Sequence, residues 1–394
     1  MGADGRARII VSGILFHTPV AGVVYQMLHY LIGLRRLGHD AFYVEDTNWW
    51  SFDPRTGEVS PDPTRSLEVV VPVLERHGFG DRWAYRRAHA VDEPRGCWGL
   101  TDDAVLRLYR EADALLNVTG SQWIWDEMRA CPNRILVESD PLSAQIDAAN
   151  GVPSVVAHLE AHHRHFTFGE TLREGACPVP LGPYRWRPTR QPVVLELWQT
   201  GRPPGDRALS TVTSWHDDHK DRVWGGETYH WTKDREFRAV LDLPQRRPGR
   251  FRLAVTDEVE AERDELLGRG WLLDRALRVS ADVDRYRRFI TASWGEFSVA
   301  RDQYVRAGTG WFSDRSACYL AAGRPVVTQE TGFSAVLPTG EGLFAWSDGE
   351  DVLAAVDAID AEPRRHQRAA AEIAREHFAA DRVIGRLLEQ AGLA

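Results

Sequence analysis

Cysteine is sparse and unpaired in this chain. Cys97, Cys131, Cys177 and Cys318 lie far apart with no Cys-x-x-Cys, a pattern that excludes a disulfide framework and a zinc site of clustered thiols. There is no Gly-x-Gly-x-x-Gly after the first strand-like run, so a dinucleotide fingerprint is missing. No apolar run approaches the roughly 20 residues of a membrane span. The opening Met-Gly-Ala-Asp leads straight into Arg8-Ile9-Ile10-Val11 without a basic and apolar leader, so the expected location is the cytoplasm. A block of positive charge is also lacking: 48 Lys and Arg are interspersed among 57 Asp and Glu, for a net charge of −9, which argues against nucleic acid as a partner. No short repeat or low-complexity tract is evident.

What is present is an ordinary globular composition, 43% hydrophobic and 27% charged, over 394 residues. That length exceeds what one hydrophobic core usually serves, so two domains are expected. Ala7 to Gly13 reads as a buried strand, followed by a loop, a helix and a second strand at Asp40 to Val44. In the helix, Val24, Met27, Leu28, Leu31 and Leu34 recur at helical spacing, and Gly38 stands where a C-cap glycine belongs. Further strands are expected at Ala114 to Val118, Arg134 to Glu138 and Phe166 to Gly169. The stretch from Pro178 to Pro192 is proline-rich and reads as a linker. A second alternation follows, with strands at Leu209 to Ser214, Phe251 to Val255 and Pro325 to Thr328. Helices are expected at Lys233 to Leu243, Glu260 to Leu267 and Asp284 to Ile290, after Asp348, and at Arg364 to His377 and Arg382 to Gln390. The expected fold is α/β: two Rossmann-like domains facing a cleft, residues 1–185 and 190–377, with a terminal helix at 378–394 that packs back on the first.

The most informative segment runs from Trp311 to Phe333. Ser313 is placed to cap a helix start, Ala317 to Ala322 favour helix, Gly323 ends it, and Pro325-Val326-Val327 begins a buried strand. A helix N-terminus offers free N–H groups and a partial positive charge, and Arg315 and Ser316 in its first turn add donors suited to a diphosphate.

This segment resembles the GT-B glycosyltransferases, whose second domain carries a helix ending in Ala-Ala-Gly-x-Pro-Val-Val followed by a Thr-Gly or Gly-Gly loop. The resemblance implies a nucleoside-diphosphate sugar as co-substrate with no further cofactor or metal, and Thr331, Gly332 and Phe333 near the donor. Retaining members hold the donor with two Glu seven residues apart. Here those positions fall near Trp311 and on Cys318, leaving Glu296 or Asp314 to take over one role. Lys233, at a helix start after the first strand of the second domain, is similar to the family's phosphate-binding Lys, and Arg301 is a second cation. Both also fit ordinary exposed cations.

In the first domain, His17 lies in the Gly13 to Gly22 loop, where inverting relatives place a catalytic base, and imidazole suits that task near neutral pH. Asp140 ends a strand at the same sheet edge and is the second catalytic candidate. Gly22 and Glu170 are candidates for the acceptor side. Asp282-Val283-Asp284 reads as a helix start capped by Ser280 rather than a metal motif. The runs His162-His163-Arg164-His165 and His216-Asp217-Asp218-His219 are too contiguous for a first shell. The many tryptophans, among them Trp49, Trp50, Trp123, Trp125, Trp215 and Trp224, suit stacking on sugars or apolar acceptors as well as core packing. The sequence reading is a metal-independent glycosyltransferase acting on a small molecule such as a natural product. The alternatives are a nucleotide-sugar 2-epimerase on the same fold and a catalytically silent sugar-nucleotide binder or partner protein.

Overall fold

The computed structural model describes residues 6–91, 94–173, 175, 177–199, 204–256 and 260–393. Its first sheet has eight strands: β1 (Arg8–Ser12), β2 (Asp40–Asp46), β3 (Trp83–Arg86), β4 (Cys97–Gly99), β5 (Ala114–Val118), β6 (Arg134–Glu138), β7 (Arg164–Thr167) and β8 (Trp186–Pro188). They are ordered β8-β7-β6-β5-β1-β2-β3-β4, parallel except for the β3/β4 pair. The second sheet has six parallel strands: β9 (Leu209–Ser214), β10 (Phe251–Thr256), β11 (Leu272–Arg275), β12 (Gly295–Ser298), β13 (Val326–Gln329) and β14 (Leu343–Trp346), ordered β11-β10-β9-β12-β13-β14. Such buried parallel strands read as short apolar runs, as Ala114-Leu-Leu-Asn-Val118 does. In the first sheet the strand order reverses between β1 and β5, and in the second between β9 and β12. Loops at the carboxyl ends of those strands form the crevices where open α/β sheets bind ligands.

Four helices position the site: α1 (Ala21–Arg36), α2 (Val283–Ala292), α3 (Asp314–Ala321) and α4 (Ala380–Ala391). Helix α1 is buried nearly all round, including Tyr25, His29 and Tyr30, because both halves of the molecule pack on it. Tyr25 Oη donates to Val283 O at 3.3 Å, and His29 Nδ1 accepts from Val194 N at 3.0 Å. Against its far side lies α4; a Cβ on Gly33 would come within 2.4 Å of Ile384 Cδ1 and 3.1 Å of Ala380 Cβ, so the two helices cross closely at this glycine. Leu28, Leu31, Ile384 and Leu388 thus join one core with Phe312 and Leu320 of the second half.

Several elements differ from the sequence reading. The proline-rich segment is not all linker, since Trp186–Pro188 forms the edge strand β8 beside β7. An edge tolerates Pro188 because one side of the strand needs no donor. Lys233 to Leu243 is not one helix but two short ones, Asp234–Arg238 and Leu243–Arg246. Helix α2 is capped by Asp282, whose side chain accepts from Arg285 N, while Ser280 Oγ donates back to Ala276 O. Ser313 is the N-cap of α3 by backbone only, without a side-chain cap bond. Among the described residues no helix is long and apolar enough to cross a membrane.

Candidate active site

The loops after β1, β5 and β6 meet those after β9, α3 and its preceding segment around a cavity of about 440 Å³. Ile14, Thr119, Glu138 and Asp140 line it from the first half, and Lys220, Trp231, Trp311 and Asp314 from the second. Two bonds clamp the halves at its wall. Tyr304 Oη donates to Asp140 Oδ1 at 2.8 Å, and Trp311 Nε1 donates to Ser139 O at 2.9 Å, with the two rings stacked 4.6 Å apart.

Beside the cavity, the second half gathers positive charge. Lys233 is only 6% exposed, and its ammonium has no hydrogen bond or ion pair among the described residues. Burial first, then the charges of Arg315 and Arg301, hold it well below the usual lysine range. Arg301 lies over the Trp231 ring at 3.6 Å and donates to Trp231 O. Arg315 is turned inward: Nε donates to Glu296 Oε1 at 2.6 Å, Nη1 to Val212 O at 2.6 Å and Nη2 to Ser298 Oγ at 2.8 Å. Its guanidinium therefore ties α3 to β9 and β12, and Glu296, fully buried, is its counter-ion rather than a cleft group. Lys220 and Lys233 are the only lysines in the chain. Lys220 also lies over the Trp231 ring, its Nζ 4.6 Å from the centroid.

Carboxyl groups from both halves meet in the cavity, Asp314 from α3 and Glu138 and Asp140 from the end of β6. Burial, and next the Asp140 charge, push the Asp314 carboxyl up to about 7; Gln26 Nε2 donates to it at 3.3 Å. Glu138 is 5% exposed, and burial pushes it up to about 8 against the pull of Thr167 and Gln145. In the adjoining loop, His17 Nδ1 lies 2.6 Å from Trp50 O. A carbonyl only accepts, so Nδ1 carries the proton and the Nε2 lone pair is left for base chemistry. Burial lowers the His17 pKa further, keeping the ring neutral. Glu45 fixes this loop, accepting from Phe16 N at 2.8 Å and His17 N at 2.7 Å.

Of the residues singled out by sequence, the structure brings Asp140 and Asp314 together in the cavity and Lys233, Arg301, Arg315 and Glu296 into one adjoining cluster. His17 does not line the cavity; Trp49, whose ring packs 5.0 Å from His17, does. Ser316 Oγ is fully buried without a partner. Thr331 Oγ1 donates to Trp311 O at 2.6 Å, Gly332 takes φ +96° in a tight turn, and Phe333 packs on Phe312 within the core. These three residues shape the wall behind α3. Gly22 faces Tyr286 of α2, not open space. Glu170 is engaged elsewhere, paired with Arg190 at 2.5 Å in a separate cavity of about 210 Å³ against α4. Cys318 is buried 3.9 Å from His29 Nε2, so it cannot serve a ribose.

Sequence reasoning passed over Glu138, His158, Lys220 and Gln26. Lysine scarcity was the available signal: a chain that uses arginine almost everywhere keeps its two lysines at this site. One group with metal-ligand spacing, Asp46, His89 and Glu127, also escaped notice. Arg86 Nη1 bridges it, 2.6 Å from Asp46 and 2.7 Å from Glu127, so a cation already occupies its centre.

No protein-family model matches the chain, and no curated protein is similar to it in sequence. Solved structures do share its fold. An α-glucosyltransferase in complex with UDP aligns at 9% identity over 98% of this chain and 100% of that one, with a TM-score of 0.55. HepE of Anabaena in complex with UDP aligns at 12% identity over 98% and 100%, TM-score 0.57. AviGT4, a glycosyltransferase involved in avilamycin A biosynthesis, aligns at 11% identity over 98% and 97%, TM-score 0.51. The likeness establishes the architecture: this chain has the GT-B fold, two Rossmann-like α/β halves facing a cleft.

Proposed function

We propose that the protein is a glycosyltransferase that moves a sugar from a nucleoside diphosphate to a small-molecule acceptor, without a metal. The observation that carries this reading is the buried, unpaired ammonium of Lys233 beside Arg301, at the edge of a cavity lined by Asp140 and Asp314. Desolvating a cation without a counter-ion is costly, and a diphosphate would supply the missing charge. Residues 190–377 form the donor domain and 1–185 the acceptor domain, with Trp186–Pro188 completing its sheet and 378–394 packing back on it.

In this mechanism Lys233 and Arg301 neutralise the charge that develops on the leaving diphosphate. His17 Nε2 takes the proton of an acceptor hydroxyl, whose oxygen bonds to the anomeric carbon as the bond to the β-phosphate oxygen breaks. Asp140 and Asp314 orient sugar hydroxyls. The neighbours' UDP makes UDP the first donor base to test. Although an α-glucosyltransferase neighbour was solved with DNA, the net charge of −9 here favours a small acceptor. The free cysteines suit a reducing cytoplasm.

The test is a thermal-shift panel of UDP, GDP, TDP, ADP and NAD on the wild type and Lys233→Met, followed by an assay of donor turnover. A ligand at 100 times its Kd adds roughly 2.7 kcal/mol of stability. Stabilisation of the wild type alone by one nucleoside diphosphate, with turnover of its sugar conjugate, is the expected result. Stabilisation by NAD only, or by nothing, sinks the reading. Binding without turnover would leave a silent binder. The carboxyl cluster at the cavity also suits a nucleotide-sugar 2-epimerase, which would wash solvent deuterium into the donor C2 position.

A further inference from the structure

Glu138 ends β6 at the cavity wall, and the mechanism above does not use it. Its Oε2 is saturated from two sides: Thr167 Oγ1 donates at 2.7 Å and Gln145 Nε2 at 3.0 Å. Both donors are themselves locked. Gln145 Oε1 accepts from Leu142 N at 2.7 Å, which turns its amide NH₂ toward Glu138. Thr167 Oγ1 accepts from Gly169 N at 3.0 Å, which leaves its hydroxyl hydrogen for Glu138. Oε1, by contrast, is buried with no partner, on a residue that lines the cavity. Leaving a buried polar atom unsatisfied is costly, and this one is held firmly in place by its neighbour's two bonds.

The charges facing Glu138 do not compensate it. On its own strand end stands Asp140, and from α3 comes Asp314. His158, on the helix Pro153–Glu160, is lowered to about 4 by burial and stays neutral. Arg222 is taken by Asp147 at 2.7 Å, and Lys220 lies over Trp231. No cation among the described residues pairs with Glu138. With Oε2 accepting twice, a proton on this carboxyl must sit on Oε1, the oxygen left without a partner.

We infer that Glu138 is a specificity-determining residue whose carboxylic acid donates a hydrogen bond from Oε1 to an oxygen of the sugar ring seated in the cavity. This rests on the donor assignment above. Burial, with the Asp140 charge adding to it, sets the pKa of this acid at about 8, so the donor is lost as pH rises through that value.

The experiment measures UDP and UDP-glucose affinities by calorimetry from pH 6.5 to 9.5 for the wild type, Glu138→Gln and Glu138→Ala. UDP reports the cationic cluster and not Glu138, so its affinity also certifies that each variant is folded. Glutamine places an amide NH₂ where the acid carries its proton and cannot titrate. The ratio of UDP-glucose to UDP affinity in the wild type is expected to fall about tenfold from pH 7 to pH 9. In Glu138→Gln it stays high from pH 8 to 9.5, keeping only the change that Asp314, raised to about 7, contributes nearer pH 7, and in Glu138→Ala it is low throughout. A flat wild-type ratio, or a glutamine variant as weak as alanine while UDP still binds, overturns the inference. Failure of UDP to bind any of the three proteins overturns the donor assignment itself, and the role of Glu138 with it.

Discussion

The two halves solve the same structural problem with opposite charges. Each must hold a loop at the reversal point of its sheet. In the first half a buried carboxylate, Glu45, collects the N–H groups of Phe16 and His17. In the second a buried guanidinium, Arg315, collects Val212 O, Ser298 Oγ and Glu296. The consequence reaches the cleft. The first half presents Glu138 and Asp140 to the cavity, with a neutral His17 in the adjoining loop; the second presents Lys220 and Asp314, with Lys233 and Arg301 gathered beside them. A cleft polarised in this way sorts a sugar nucleotide by orientation, with phosphate toward the cationic wall and hydroxyls toward the carboxyl wall.

The strongest test of this division is His17→Ala. If the first half does chemistry and the second binds the diphosphate, kcat falls on the order of 10²–10⁴-fold. UDP affinity stays unchanged, as steady-state kinetics and calorimetry on one sample would show. Next comes Arg315→Ala, which strands Glu296 in the core and should cost about 3–5 kcal/mol of unfolding free energy in denaturant titration. A variant that keeps its stability and loses only UDP would make Arg315 a phosphate ligand and not a strut. Lys233→Met should weaken UDP roughly 10- to 150-fold, the worth of a hydrogen bond to a charged group. Its melting temperature should hold or rise, because an unpaired buried cation is removed. A fall in both would place Lys233 in the fold instead of the site.

How much of this was legible beforehand follows from what local patterns encode. The strands Ala114–Val118, Arg134–Glu138 and Leu209–Ser214 stand out because short apolar runs bounded by polar residues have few other uses. The helix-to-strand passage around Gly323 is equally local. Direction is not. Arg315 was correctly placed in the first turn of a helix, but whether its side chain reaches out to a phosphate or in to Glu296 depends on β12, which lies elsewhere in the chain. Lys233 fitted a phosphate ligand and an exposed cation equally for the same reason: its burial comes from strands and loops that sequence spacing does not bring together. At the end of β6 the eye goes to Asp140, whereas the orphaned oxygen belongs to Glu138, whose bonds to Thr167 and Gln145 are tertiary.

The buried carboxyls also predict a pH dependence of folding. Burial raises Glu45 and Asp314 to about 7, Asp46 to about 6 and Glu138 to about 8. A carboxyl with a raised folded pKa contributes stability that is complete below its unfolded value, near 4, and is lost as pH climbs through the folded value. His29 and His158, lowered to about 3 and about 4, act in the other direction, losing stability as pH falls below about 6.5. Between about pH 4.5 and pH 6 the four carboxyls outweigh the two imidazoles, so on these groups the melting temperature should fall by several degrees from pH 5 to pH 8.5. A curve that rises over this range would mean that these carboxyls are ionised in the fold, and that the cleft carries more charge contrast than protonated carboxyls give it.

The smallest expected effect is the one that decides whether Gly22 belongs to the acceptor side at all. A Cβ there would sit 3.6 Å from Tyr286 Oη, an ordinary van der Waals contact, with no other atoms near except that ring. Alanine has the higher helix propensity by about 0.8–1 kcal/mol, so Gly22→Ala in the first turn of α1 should leave stability within about 1 kcal/mol of wild type, on either side. The informative readout is the acceptor KM once an acceptor is found. If it is unchanged, Gly22 serves only the packing of α1 on α2, and the carboxyl wall ends at Ile14. If it rises while UDP affinity holds, an acceptor passes between α1 and Tyr286, and the first half binds its ligand along the helix as well as at the strand ends.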